Sequence, residues 1–216
     1  MTERLRQWWR RLSVSPAFIG LTRRRVAFQW RMRGRPLPPP HVVKQLVILG
    51  YQRRRKLHTF VETGTFTGEM VDAMGPYFSR IVSIEMAPDI HEAAVRRFQG
   101  DSRVELLLGD SSTLLPRLLE QLREPALFWL DGHFMGGNTA RGQEDSPVKA
   151  ELSALLSHPV RRHVILIDDA RLFNGAGGYP TIPDVRSWIE RERPGSRVFV
   201  DDDIIQCALD AGDAVS

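Results

Sequence analysis

Five short stretches place chemically useful side chains at the ends of apolar runs. Glu62-Thr63-Gly64-Thr65-Phe66-Thr67-Gly68 follows the run His58-Thr59-Phe60-Val61, and Glu85 ends the next run, Arg80-Ile81-Val82-Ser83-Ile84. Gly109-Asp110-Ser111-Ser112 follows Val104 to Leu108, Asp131 ends Ala126 to Leu130, and Asp168-Asp169 ends His163 to Ile167. Glycines between a strand and a helix permit a tight turn and let the backbone approach a ligand at the helix N-terminus. Such a turn can also be only a turn, so the following runs decide its meaning. Glu85 lies 17 residues beyond Gly68, where a carboxylate at a strand tip can accept both ribose hydroxyls of a nucleoside. Asp110 is placed to accept from an adenine amino group. Ser111 is read as a ligand contact, and Ser112 as the cap of the next helix.

Asp131, Asp168 and Asp169 present a second kind of chemistry. Three carboxylates at neighbouring strand tips raise one another's pKa or demand a counter-ion, and Mg²⁺ takes oxygen ligands of this type. The competing reading is that Asp168 caps a turn or pairs with Arg171, while Asp131 contacts only the amino group of a bound ligand.

These residues need a scaffold that brings strand ends together. From Leu57 onward, short apolar runs alternate with helix-length amphipathic stretches, the pattern of βαβ units and a parallel sheet. Strands are expected near 57–61, 80–85, 103–108, 126–131 and 163–168, with helices near 67–77, 89–98, 111–122, 147–157 and 182–191. Ser196 to Val200 and Asp203 to Leu209 read as a closing antiparallel hairpin turned at Asp201-Asp202. The fold class expected is α/β: a Rossmann-like, seven-stranded, mostly parallel sheet with an antiparallel last strand and helices on both faces. In such sheets ligands sit outside the carboxyl ends of the strands.

In this order and spacing, the Glu62 to Gly68 turn, Glu85, Gly109-Asp110 and Leu130-Asp131 resemble the successive motifs of class I S-adenosylmethionine-dependent methyltransferases. The resemblance covers about residues 57–209. A nicotinamide-binding fold usually presents Gly-x-Gly-x-x-Gly, whereas this chain has Glu-x-Gly-x-x-x-Gly. The resemblance implies that Glu62, Thr63, Gly64, Thr65, Gly68, Glu85, Asp110, Ser111 and Asp131 bind S-adenosylmethionine. The Asp131, Asp168, Asp169 set is similar to that of metal-dependent O-methyltransferases of the catechol and macrocin types. That similarity implies an Mg²⁺ that binds a substrate hydroxyl and lowers its pKa. The catechol type carries a lysine three residues after the first ligand, but Phe134 stands there. His133 is the nearest replacement base and Asp131 its catalytic neighbour; a buried structural histidine is the alternative. The glycine-rich stretch between His133 and Pro147 and the Asn174 to Pro180 segment read as loops shaping an acceptor pocket, with Arg141, Arg171 and Tyr179 lining it. The function expected is O-methylation of a small hydroxylated metabolite assisted by a divalent metal; the alternatives are a metal-independent small-molecule methyltransferase and a non-catalytic binding module that docks through the basic N-terminus.

Composition bounds the rest. The 216 residues, 42% apolar and 26% charged, suit one globular domain with an appendage. The lone Cys207 rules out an intrachain disulfide, and with no Cys/His cluster at zinc spacing and no bilayer-length apolar stretch, a reducing cytoplasm is expected. Charge is unevenly placed. Residues 1–56 carry a formal +14 and residues 57–216 a formal −10. Leu5, Trp8, Trp9 and Leu12 recur at helical spacing beside four arginines, and Pro36 to Pro40 interrupts the chain, so residues 1–40 read as a basic extension and residues 41–216 as the methyltransferase domain. The extension either packs on the domain or contacts an anionic surface, membrane or nucleic acid. The partners that the sequence admits are thus a small hydroxylated acceptor, an anionic surface through residues 1–40, and a second copy of the chain. A nucleic-acid acceptor fits poorly, because the catalytic half is acidic and no Asn/Asp-Pro-Pro-Tyr/Phe motif follows the fourth strand.

Overall fold

The computed structural model describes residues 16–132 and 147–209. Two helices, α1 (Pro16–Met32) and α2 (His41–Arg55), precede the first strand. Strands β1 (Thr59–Thr63), β2 (Arg80–Glu85), β3 (Val104–Leu108), β4 (Ala126–Leu130) and β5 (Val164–Ile167) then alternate with helices α3 (Glu69–Met74), α4 (Pro88–Arg97), α5 (Ser111–Gln121) and α6 (Val148–Ser157). A 3₁₀ turn (Ala170–Leu172), helix α7 (Ile182–Glu192) and strands β6 (Arg197–Asp201) and β7 (Ile204–Ala208) complete the described chain. The sheet order is β3-β2-β1-β4-β5-β7-β6, and only β7 runs antiparallel to its neighbours. This is the seven-stranded, mostly parallel α/β sheet that the sequence pattern predicts.

Both faces of the sheet are covered, so the central strands are apolar at successive positions and do not alternate. Val61, Val82, Phe128 and Ile165 point to one side, under Leu115 and Leu119 of α5, Leu152 and Leu155 of α6, and Ile189 of α7. Phe60, Ile81, Leu127, Trp129 and Leu166 point to the other, under Ile48 and Leu49 of α2 and Met70 and Met74 of α3. Chain order reverses between β1 and β4, where β1 pairs with β2 on one side and β4 on the other. Pairing of Thr63 with both Ile84 and Leu130, and of Leu130 with Ile167, aligns four strand ends at one rim.

Three features differ from the sequence reading. Helix α1 forms inside what reads as the basic extension, where its Ala27 and Trp30 pack on Val43 of α2. Helix α2 was hidden because its apolar positions are surrounded by Lys44 and the Arg53-Arg54-Arg55 run, yet it seals one sheet face. The hairpin turns one residue later than expected: Asp202 and Asp203 both have positive φ, 53° and 62°, as a two-residue type I′ connection requires. The amphipathic stretch at 5–12 lies outside the described residues, and no described helix is long and apolar enough to cross a membrane.

Candidate cofactor and acceptor site

The turn after β1 is built around close backbone approach. Gly64 has φ of 87°, and a Cβ there would stand 2.7 Å from the Asp131 carbonyl oxygen, so only glycine lets β1 and β4 meet at this point. The Gly64 amide donates to Ile84 O at 2.9 Å, and the Asp131 amide to Thr63 O at 3.1 Å, which ties three strand tips together. Gly68, with φ of 75°, opens α3, and a Cβ there would meet the Phe98 ring.

Two acids face this turn. Glu62 is buried and accepts from Ser83 Oγ at 2.6 Å; Ser83 in turn lies 2.7 Å from Thr65 Oγ1. Since the Ser83 proton goes to Glu62, the Thr65 hydroxyl donates to Ser83. Burial, opposed by the Ser83 hydrogen bond and helped by Asp131 and Glu85, pushes the Glu62 carboxyl up to about 8. Glu85, at the tip of β2, is fixed by two backbone amides, Ala87 N to Oε1 at 2.9 Å and Phe66 N to Oε2 at 3.0 Å. The second bond explains Phe66, whose φ of 45° is unusual for a non-glycine residue and which leaves its ring 60% exposed beside the turn. A buried, acid-rich cradle whose glycine lets the backbone come close fits S-adenosylmethionine, which carries both a sulfonium and an ammonium.

At the third tip, Asp110 is itself the N-cap of α5, because its Oδ1 accepts from Ser112 N at 2.8 Å. The capping expected of Ser112 therefore falls to Asp110. Ser111 is the first, buried residue of the helix.

At the fourth and fifth tips, Asp131 and Asp168 sit on neighbouring strands, joined by the Asp168 amide donating to Leu130 O at 3.0 Å. Here the structure departs from the expected metal centre. Lys44 of α2, not anticipated, reaches across the sheet face to Asp168 Oδ2 in a very short contact, and its ammonium is 3.8 Å from Asp169 Oδ1. The other Asp168 oxygen accepts from Asp169 N at 2.8 Å. Asp169 accepts from Arg171 Nη1 at 2.7 Å, and Arg171 also pairs with Asp203 of the hairpin turn. Arg171 is thus the partner of Asp169, not of Asp168. Among the described residues no group of three or more His, Cys, Asp or Glu side chains is arranged to hold a metal ion. The donor set does not fit Mg²⁺ as it stands, because the Lys44 ammonium and the Arg171 guanidinium already supply the positive charge beside Asp168 and Asp169. Burial, with Asp131 beside it, still pushes the Asp168 carboxyl up to about 7 against the pull of Lys44. For Lys44, burial works to lower the pKa, but Asp168 outweighs it and holds the ammonium above its ordinary value.

Glu151 also escaped the sequence reading. It is fully buried in the first turn of α6, and burial pushes its carboxyl up to about 7 against the pull of the nearby Ser111 and Thr63 hydroxyls. A signal was present, since Glu151 falls on the apolar face of α6, between Val148 and Leu155. Leu130, Asp131, Glu151, Asp168, Asp169 and Tyr179 share the walls of one cleft at the β4 and β5 tips. Tyr179 lines this cleft, Arg171 pairs with Asp169 without lining it, and His133 and Arg141 lie outside the described residues.

No protein-family model and no curated protein matches the chain. Solved structures do match in fold. The O-methyltransferase TomG from Streptomyces achromogenes, in complex with SAM, superposes with a TM-score of 0.57 at 20% identity, over 98% of this chain and 100% of its own. An O-methyltransferase from Bacillus cereus, in complex with SAH, gives 0.57 at 15% identity, over 87% and 90% of the two chains. The SAH-bound methyltransferase PaMTH1 of Podospora anserina gives 0.53 at 18% identity, over 85% and 87%. At these identities the likeness is one of fold, and the chain has the fold of these methyltransferases.

Proposed function

We propose that the protein is an S-adenosylmethionine-dependent methyltransferase acting on the hydroxyl of a small molecule. The observation that carries this reading is the rim itself: Glu85 held by two amides, the Gly64 turn pressed against Asp131, and Asp168 and Asp169 on the adjoining tip. Bound S-adenosylmethionine supplies an electrophilic methyl group. Glu85 keeps acceptor lone pairs free for the ribose hydroxyls, since each oxygen takes one backbone hydrogen bond from the described residues. Thr63, Gly64, Thr65 and Gly68 shape the turn, and Asp110 and Ser111 border the adenine position. Asp131 and Glu62 offer carboxyl groups to the methionine ammonium. An acceptor hydroxyl is aligned by the Asp168 tip, and its proton passes to His133. The metal-assisted version of the reaction is not adopted, because the carboxylates it needs are engaged by Lys44 and Arg171.

The test is methyl transfer from isotope-labelled S-adenosylmethionine to a panel of hydroxylated, amino and thiol compounds. Label on hydroxylated compounds, lost in His133→Ala with cofactor affinity retained, is the expected result. Label confined to amines or thiols would replace the acceptor class.

A further inference from the structure

The acid cluster at the β4 and β5 tips carries its own cation. Asp168 is buried and would be a costly charge if unpaired, and the group that meets it is the ammonium of Lys44, whose side chain is 15% exposed. Lys44 comes from α2, on the sheet face shared by Trp129 and Leu166, so it reaches the strand tips from the side opposite α6. Helix α2 is held there by buried Val43, Ile48 and Leu49, which fixes the root of the lysine. An ammonium has three donors. One is spent on Asp168, and Asp169 at 3.8 Å is beyond a hydrogen bond, so donor capacity remains beside two acids that line the cleft.

We propose that Lys44 is the resident cation of the acid cluster at the β4 and β5 tips, standing where a divalent metal would otherwise be held. The inference rests on the methyltransferase reading and deepens it: the carboxylates beside the acceptor cleft are neutralised by a side chain of this protein and not by a divalent metal. Lys44 keeps the carboxylates from attracting Mg²⁺, since a second cation at that point would meet the ammonium's charge.

Titration of the full chain with Mn²⁺, followed by electron paramagnetic resonance, reads the proposal without any acceptor. Wild type is expected to show no stoichiometric site up to on the order of 1 mM. Lys44→Met, which removes the charge and keeps the stem, is expected to gain one site at least roughly tenfold tighter, Lys44→Arg to gain none, and Lys44→Met/Asp168→Asn to lose the gained site. One Mn²⁺ bound per wild-type chain below that concentration, no gain in Lys44→Met, or retention of the site in the double variant would overturn the proposal. If Lys44→Met does not fold, as judged by circular dichroism, Lys44→Gln takes its place and the wild-type titration still decides. Calorimetry with S-adenosylmethionine on the same samples separates the two readings: absent cofactor binding in wild type refutes the methyltransferase, whatever Mn²⁺ does.

Discussion

Single residues at the rim differ in what they are asked to do, and substitution should separate those tasks. Gly64 is demanded by geometry alone, through a positive φ and a 2.7 Å approach to a backbone oxygen that cannot move aside. Gly64→Ala should cost about 3 kcal/mol of stability, a drop of roughly 10 °C in Tm for a chain of this size, measured by thermal unfolding without ligand. An unchanged Tm would mean that the turn relaxes freely. The sequence made Gly64, Glu62 and Glu85 legible because a glycine turn and two strand-end acids are visible as residue types at a spacing. It could not show Lys44. A lysine inside an amphipathic helix usually lies in water, and only the packing of α2 turns this one toward Asp168. Nor could it show that Asp110 spends one oxygen on capping α5, since capping depends on where the helix begins.

Between elements, polar contacts buried in the sheet layers carry a pH dependence that can be worked out. His163, at the start of β5, accepts from Ala126 N at 3.1 Å through Nδ1, so its Nε2 carries the proton shared with His158 Nδ1 at 2.9 Å. His158 then donates from Nε2 to Leu119 O at 2.9 Å, which links β4, β5 and α5 through two neutral rings. Burial first, then the neighbouring His158 and Arg193, lowers His163 to about 3. The unfolded histidine, near 6.5, therefore binds a proton before the folded one does, and this stabilisation is complete above pH 6.5 and is lost as pH falls toward 3. Glu62 and Glu151 act in the opposite direction: raised to about 8 and about 7, they favour the folded state more as pH falls through those values. Comparing wild type with His163→Asn isolates the histidine. Urea unfolding should show the wild-type advantage shrinking by about 2–3 kcal/mol between pH 7.5 and 4.5. A constant difference would mean that the imidazole binds its proton equally well in the folded and unfolded chain. At this scale the five strand-helix units were readable to within about two residues at most ends, because apolar periodicity follows directly from burial on a two-faced sheet. Helix α3, Glu69–Met74, is shorter than the 67–77 expected because the glycine turn consumes its first residues and Gly75 ends it.

For the whole molecule, charge and packing divide the chain differently. By charge the break falls near residue 56, but α1 belongs physically to the body: Trp30 is 4% exposed, its Nε1 donates to Pro36 O at 2.8 Å, and Arg35 pairs with Asp201 at 2.7 Å. Truncating Trp30 to alanine should cost about 3 kcal/mol, seen as a lower urea midpoint, while S-adenosylmethionine affinity stays the same because the rim lies on other elements. Loss of cofactor affinity would instead couple α1 to the site. The anionic contact proposed for residues 1–40 is tested by deleting residues 1–15, which should abolish retention on anionic vesicles and leave Tm in place; retention by the shortened chain would remove that assignment. Charge asymmetry was fully legible in the sequence, whereas the docking of α1 was not, since it depends on which apolar faces meet. Binding of S-adenosylmethionine at the sheet rim through Glu85 is read by calorimetric titration of wild type and Glu85→Ala. One site per wild-type chain is expected, with binding about 2 kcal/mol, or roughly 30-fold, weaker in a folded Glu85→Ala variant. Equal affinity in the two proteins, or none in wild type, would contradict it.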